Sequence, residues 1–444
     1  MTRTHCPATT ATALAALLAC AVSCGREDGP QHTDDGALIL RAWAHSGQEE
    51  ERRILETHVE RFNQQNKDLH VDLTLIPEGA YNGQVQAAAL AGELPDLLEF
   101  DGPFVYNYAW QNQLLPIRDL IQPTTFDNLI PSIIKQGTYG GHFWTVGMFD
   151  SGLCLYANRS QLEAIEARIP AHPDQAWSVE EFDTILRQLA EQNDTGHALD
   201  LKLNYRGEWY SYAFSPVLTS AGGGLVAEPA HDTASGVLDS PESIAAMRWF
   251  QRWIHEDGLV DRNVDDNAFT GGRVAISWTG HWEYENYRQA LGDDLVLIPL
   301  PDFGHSSRSG QGSWSWGITA GCAQPEAAAR FLDFLMQDRQ VLEMTEANGA
   351  VPATRSAIGQ SPHYAEGGGR HLFALQLTGG YVVPRPRTPA YPLITSAFEA
   401  AFLAIADGGD VESVLRDAAA TITRDIEDND GYPTPWNGDH GADD

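Results

Sequence analysis

Lysine is nearly missing from this chain. Lys67, Lys135 and Lys202 are the only three, and arginine supplies the rest of 28 basic residues set against 61 acidic ones. The formal charge of −33 repels polyanions, which argues against nucleic acid or an anionic membrane surface as the main partner. Cysteine is sparse too. Cys154 and Cys322 lie in separate apolar, strand-like segments and are expected as buried free thiols, and no C-x-x-C occurs. The 15 histidines are dispersed with no i,i+4 pair, so neither a metal nor a cofactor is expected. G-x-S-x-G, H-E-x-x-H, P-loop and G-x-G-x-x-G motifs are all missing. What remains is an ordinary globular composition: 43% hydrophobic residues over 444, enough for two well-packed domains.

Long apolar runs are also lacking, with one exception. Ala11–Val22 is rich in Ala and Leu, follows Arg3 and His5, and is too short to span a bilayer stably. Residues 1–23 therefore read as an export signal. It ends in Ala21-Val22-Ser23-Cys24-Gly25, which looks like the processing site of bacterial lipoproteins, with the Cys24 thiol as lipid acceptor. Leu17-Leu18-Ala19-Cys20 is a competing site, and an unlipidated secreted chain is the alternative. The expected location is extracytoplasmic, anchored to the membrane by Cys24. Residues 24–36 are polar and read as a tether.

Structure is expected from Ala37. Ala37–Trp43, His70–Ile76 and Pro95–Phe100 read as strands. Ile54, Leu55, His58, Val59 and Phe62 share a helix face, and a second helix spans Tyr81–Ala91. This β-α-β-α-β order predicts an open parallel sheet, with ligands at the carboxyl ends of its strands: His45-Ser46 and Asp101-Gly102. Farther on, Ser178-Val179-Glu180-Glu181 is a capping box, Ser240-Pro241 opens another helix, and Val274–Trp278 and Leu295–Leu300 are strands. Helices are expected at Pro325, over Leu393–Ala406 and over Val411–Glu427. Residues 431–444 are acidic and rich in Gly and Pro, and are expected as a flexible tail.

Seven short stretches in order carry a resemblance. They are Ala89–Leu97 with its Pro95-Asp96, Tyr108-Ala109 with Leu114–Ile117, Leu155–Arg159, Ala176–Phe182, Phe269–Ile276 with Gly280-His281-Trp282, Trp316–Ile318 with Pro325–Leu335, and Gly349–Ala353. Together they resemble the family 1 extracellular solute-binding proteins of ABC importers, over about Ala37 to Glu427. The resemblance implies an α/β fold of two lobes, the type II periplasmic-binding-protein fold, with hinge strands crossing between the lobes. Carried over, residues 37–149 and 315–349 form one lobe, and 150–314 and 350–430 the other. The crossings fall near Met148–Gly152, Ser313–Trp316 and Ala347–Pro352. A ligand that touches both lobes only in the closed form shifts the hinge. The implied partners are a small-molecule ligand, a sugar first among the candidates, and membrane permease subunits. A monomer is expected.

A sugar offers an apolar CH face to aromatic rings and a rim of hydroxyls to carboxylates, amides and guanidinium groups. By resemblance, Trp282 is the stacking ring, Asp150 the acid at the first crossing, and Glu208-Trp209-Tyr210 the carboxylate and rings of the second lobe. Asp101, Gly102 and Ser46 lie at strand ends. Trp314 and Trp316 flank the second crossing and share a face, and both are taken as pocket. Trp278 ends the strand before Trp282, and Arg385 and Arg387 reach toward the mouth. Each has a plainer reading. Asp150 as a hinge bond, Asp101 as a helix cap, and the arginines as solvated charges all stay open. The competing class is an exported glycoside hydrolase, in which Asp150 and Glu208 would be the paired carboxylates. A sensing or adhesive lipoprotein, and polyamine, phosphonate or iron as ligand, are further alternatives.

Overall fold

The computed structural model describes residues 31–263 and 265–435. The export signal, Cys20, Cys24 and most of the tether lie outside the described residues. Residues 31–36, expected as tether, instead double back on the first strand. Ile39 N donates to the Gln31 carbonyl at 2.8 Å, and His32 bridges Leu38.

The first sheet runs in the order Leu69–Ile76, Leu38–His45, Leu97–Asp101, Trp314–Ile318, Thr145–Val146. Its first three strands are parallel, with Leu38 opposite Leu69 and Ala42 opposite Leu97. The covering helix Glu49–Gln65 follows from its apolar spacing. Leu55, Val59 and Phe62 face the sheet, and Glu49, Glu50 and Glu51 suit the positive end of the helix dipole. Trp314–Ile318, from far along the chain, enters antiparallel to Leu97–Asp101 and places Trp314 opposite Asp101. This core gathers Leu40, Ala42, Phe62, Trp316, Phe331 and Leu335, where each large apolar side chain withdrawn from water contributes about 1.5–3 kcal/mol.

The second sheet is mostly antiparallel: Leu295–Ile298, Leu153–Asn158, Ile276–Gly280, Leu199–Asp200. The serine half of the capping box forms, with Ser178 Oγ accepting from Glu181 N at 3.2 Å, while the Glu181 carboxylate accepts from Arg168 instead. The helix it opens, Val179–Gln192, turns Phe182, Ile185, Leu186 and Leu189 inward. Trp177 is fully buried against Phe182, and Trp253 and Trp278 fill the same core. Helices Tyr391–Ala406 and Val411–Asp428 close its outer side.

Two strand pairs link the sheets. Phe149–Asp150 pairs antiparallel with Val351–Pro352, and Ser309–Gln311 pairs parallel with Val382–Pro384 just before the chain returns to the first sheet at Trp314. Cys154 and Cys322 are both free and buried. The start of the expected tail is docked rather than loose. Trp110 Nε1 donates to the Pro433 carbonyl at 2.9 Å, and the Tyr432 ring meets Trp110 edge-on. An aromatic ring near the chain end finds an apolar seat that composition alone does not reveal. Among the described residues, no helix is long and apolar enough to cross a membrane.

Candidate ligand site between the lobes

Arg385 ties the two halves together. Its Nη1 and Nη2 donate to Asp101 Oδ2 and Oδ1 at 2.7 and 2.5 Å, a bidentate pair across 284 residues of chain, and Nη1 also reaches Glu208 Oε2 at 3.0 Å. Asp101 ends a strand of the first sheet, and Glu208 opens the helix Glu208–Ala221 of the second lobe. The Tyr391 hydroxyl donates to the same Glu208 oxygen. The arginine lies over the Tyr212 ring, 5.1 Å from its centroid. Arg385 and Asp101 are buried, so of the readings left open for Arg385 the solvated charge gives way to a buried ion pair. Burial drives the Glu208 carboxyl up to about 7, aided by Asp101 and opposed by Arg385 and the Tyr391 hydrogen bond.

Tyr212 was not singled out by the sequence, although the signal was there: it stands four residues after Glu208, on the same helix face. Tyr210, the expected partner, is two residues on and points the other way. It is fully buried against Phe214 and Phe402. Trp209 is also buried, its Nε1 donating to the Leu201 carbonyl at 3.0 Å, with its ring edge-on to Trp282 at 6.0 Å. Trp282 is half-buried and lies 6.1 Å from Tyr212. Gly280 permits this seat, because a Cβ there would stand 2.1 Å from the Trp282 ring. Tyr212 is thus a neighbour of both the indole and the guanidinium.

Trp278 and Trp316 are corrections. They are 0% and 1% exposed, in the cores of the second and first lobe, because inward-facing strand positions meet the covering helices before they meet a cleft. Asp150 is 0% exposed and serves the hinge: it accepts from Ser151 N at 2.8 Å, Gln311 Nε2 at 3.1 Å and Gly312 N at 3.3 Å. Burial raises its carboxyl pKa against the pull of those bonds. Gly102 is needed for close approach. Its N donates to the Ser313 carbonyl at 2.9 Å, and a Cβ would meet Gln136 at 2.0 Å.

The lobe-one wall holds a second charged group. Trp314 is half-buried and stacks on His45 with ring centroids 3.7 Å apart. His45 Nδ1 lies 2.7 Å from Glu99 Oε2, and its Nε2 lies 3.9 Å from Glu51. Burial opposes the imidazolium, but Glu99, then Glu51 and Glu78, outweigh it and hold His45 at about 9. The folded pKa is raised, so this stability is fully present below about pH 6.5 and is lost as pH rises through 9. It amounts to roughly 3 kcal/mol. Urea melts are therefore expected to show stability falling between pH 6.5 and 9 in the native chain, with much of that slope removed in His45→Gln. An unchanged slope would assign it elsewhere. Ser46, next along, is half-exposed, and its backbone N bonds the Ile76 carbonyl at 2.9 Å.

A family profile described as bacterial extracellular solute-binding protein matches residues 57–369. A lipoprotein of Streptomyces antibioticus from the oleD 5′ region is 24% identical over 360 residues, covering 78% of this chain and 76% of the relative. A maltotriose-binding protein of Pyrococcus abyssi is 20% identical, with coverage of 74% and 69%. The solved GacH receptor of Streptomyces glaucescens superposes with a TM-score of 0.72 at 21% identity, covering 88% of this chain and 97% of that one, and shares the two-lobed fold. On the family match over most of its length and on the shared architecture, the chain belongs to the bacterial extracellular solute-binding proteins.

Proposed function

We propose that this protein captures a carbohydrate between its lobes and delivers it to an ABC permease. The observation that carries the proposal is the position of Tyr212, which joins the half-open Trp282 indole to the Asp101–Arg385–Glu208 cluster. Aromatic surface beside charged hydrogen-bonding groups is what a sugar ring, with its apolar face and hydroxyl rim, asks for. Two relatives support the same class by their names: the maltotriose-binding protein, and the GacH receptor, solved with acarbose. Anchoring through Cys24, permease docking and a monomeric state belong to this proposal.

The protein acts by binding and not by hydrolysis. A glycosidase needs one carboxyl free to donate a proton and another free to attack or activate water. Here Asp101 and Glu208 share one guanidinium, and Asp150 is engaged by the hinge. A thermal-shift screen of maltose, maltotriose, mannobiose, putrescine and 2-aminoethylphosphonate tests the ligand class, since only a ligand of the folded state raises its melting temperature. A sugar is expected to give a saturable rise and to be recovered intact. A response to putrescine or the phosphonate alone would overturn the sugar assignment, and cleaved sugar would overturn the binding role.

A further inference from the structure

A small crevice, partly open to solvent, lies where the hinge crossings meet the first lobe, and basic side chains stand in its walls in a strongly acidic protein. Lys135, Arg385 and Arg387 all line it, beside Tyr106, Gln136 and Gln311. None of Trp282, Trp314 or Glu208 does. Lys202 is fully buried beside Asp200, at 3.3 Å, and Asp266, at 3.4 Å, but Lys135 is exposed and forms no ion pair among the described residues. Arg387 has no acidic partner among them either. Its Nη2 donates to the Thr138 carbonyl at 2.9 Å, and its guanidinium lies 6.0 Å from the Tyr106 centroid. The Nε atoms of Arg385 and Arg387 are both buried and without a hydrogen-bond acceptor. A buried donor left unmade is costly, and here two belong to guanidinium groups at one crevice.

We infer that this crevice binds a small, multiply charged oxyanion of the phosphate or sulfate kind. Such an anion accepts charge-assisted bonds from Lys135 and from the Arg387 guanidinium, neither of which has an acidic partner among the described residues. The crevice draws on both sides of the hinge. Gln136, from the first lobe, donates to the Ser313 carbonyl at 2.8 Å, and Arg387 lies three residues beyond the strand Val382–Pro384 that pairs with Ser309–Gln311. The overall charge repels anions, so weak surface adsorption of phosphate is suppressed and a saturable response reports a built site.

The test uses the full mature chain and inorganic phosphate, at ionic strength held constant with sodium chloride, followed by isothermal titration and by melting temperature. Saturable phosphate binding is expected, with about tenfold weaker affinity in Lys135→Gln and in Arg387→Gln, and sulfate competing for the same site. Lys135 is exposed, so Lys135→Gln keeps the native melting temperature in chloride and serves where Arg387→Gln fails to fold. No phosphate heat or melting shift beyond that of chloride overturns the inference. So does phosphate affinity unchanged in folded Lys135→Gln.

Discussion

Trp282→Ala is expected to weaken sugar binding by on the order of 30- to 100-fold while the protein still folds, because a tryptophan anchor at the centre of a contact is worth about 2–3 kcal/mol. The indole is half-buried, with its edge on Trp209 and its neighbour Tyr212 alongside. Truncation therefore removes a stacking surface and only part of a packed volume. Isothermal titration with the sugar found by thermal shift measures the loss. Trp278→Ala is the contrasting variant. That side chain is fully buried in the second-lobe core, so its removal leaves a cavity and costs about 3–5 kcal/mol of stability. Sugar affinity unchanged in Trp282→Ala would move the pocket elsewhere.

Arg385→Met is expected to destabilise the native state by about 3–5 kcal/mol at pH 8, because it strands Asp101 and Glu208 without their counter-ion. The cost should shrink toward pH 5.5. Glu208, already held near 7 beside the arginine, takes up a proton more readily without it, and a neutral carboxyl is cheaper to bury than a carboxylate. Adding Asp101→Asn to Arg385→Met should recover much of the loss, since the pair is then removed rather than broken. Denaturant melts of the single and double variants at the two pH values measure this. An equal, small loss at both would mean that the cluster is open to water and does not hold the lobes.

Much of the frame was legible because it is local. The period of Leu55, Val59 and Phe62, the Ser178 box and the Pro325 start each declare an element through spacing or a cap, and each stands within a few residues of where it was expected. The ends of strands were legible for the same reason, which is why Asp101 and Ser46 were named at all. Discrimination within the site was not. The choice between Tyr210 and Tyr212 turned on the phase of a helix whose residues are nearly all apolar or small, so that the i,i+4 spacing from Glu208 was the one mark of its orientation and counts only once Glu208 is known to face the site. Trp316 and Trp314 share one strand face, yet one is sealed beneath Phe331 while the other stacks on His45 at the strand's end.

By itself, then, the sequence determined the order of strands and helices and membership of a family, because propensity, capping and hydrophobic period act between near neighbours. Only the tertiary structure decided that Arg385 is a buried tie between Asp101 and Glu208, that Asp150 belongs to the hinge, and that Trp278 is core. Those outcomes depend on which charges and rings distant segments bring together, and on how much water their packing leaves between them, and no local pattern encodes either.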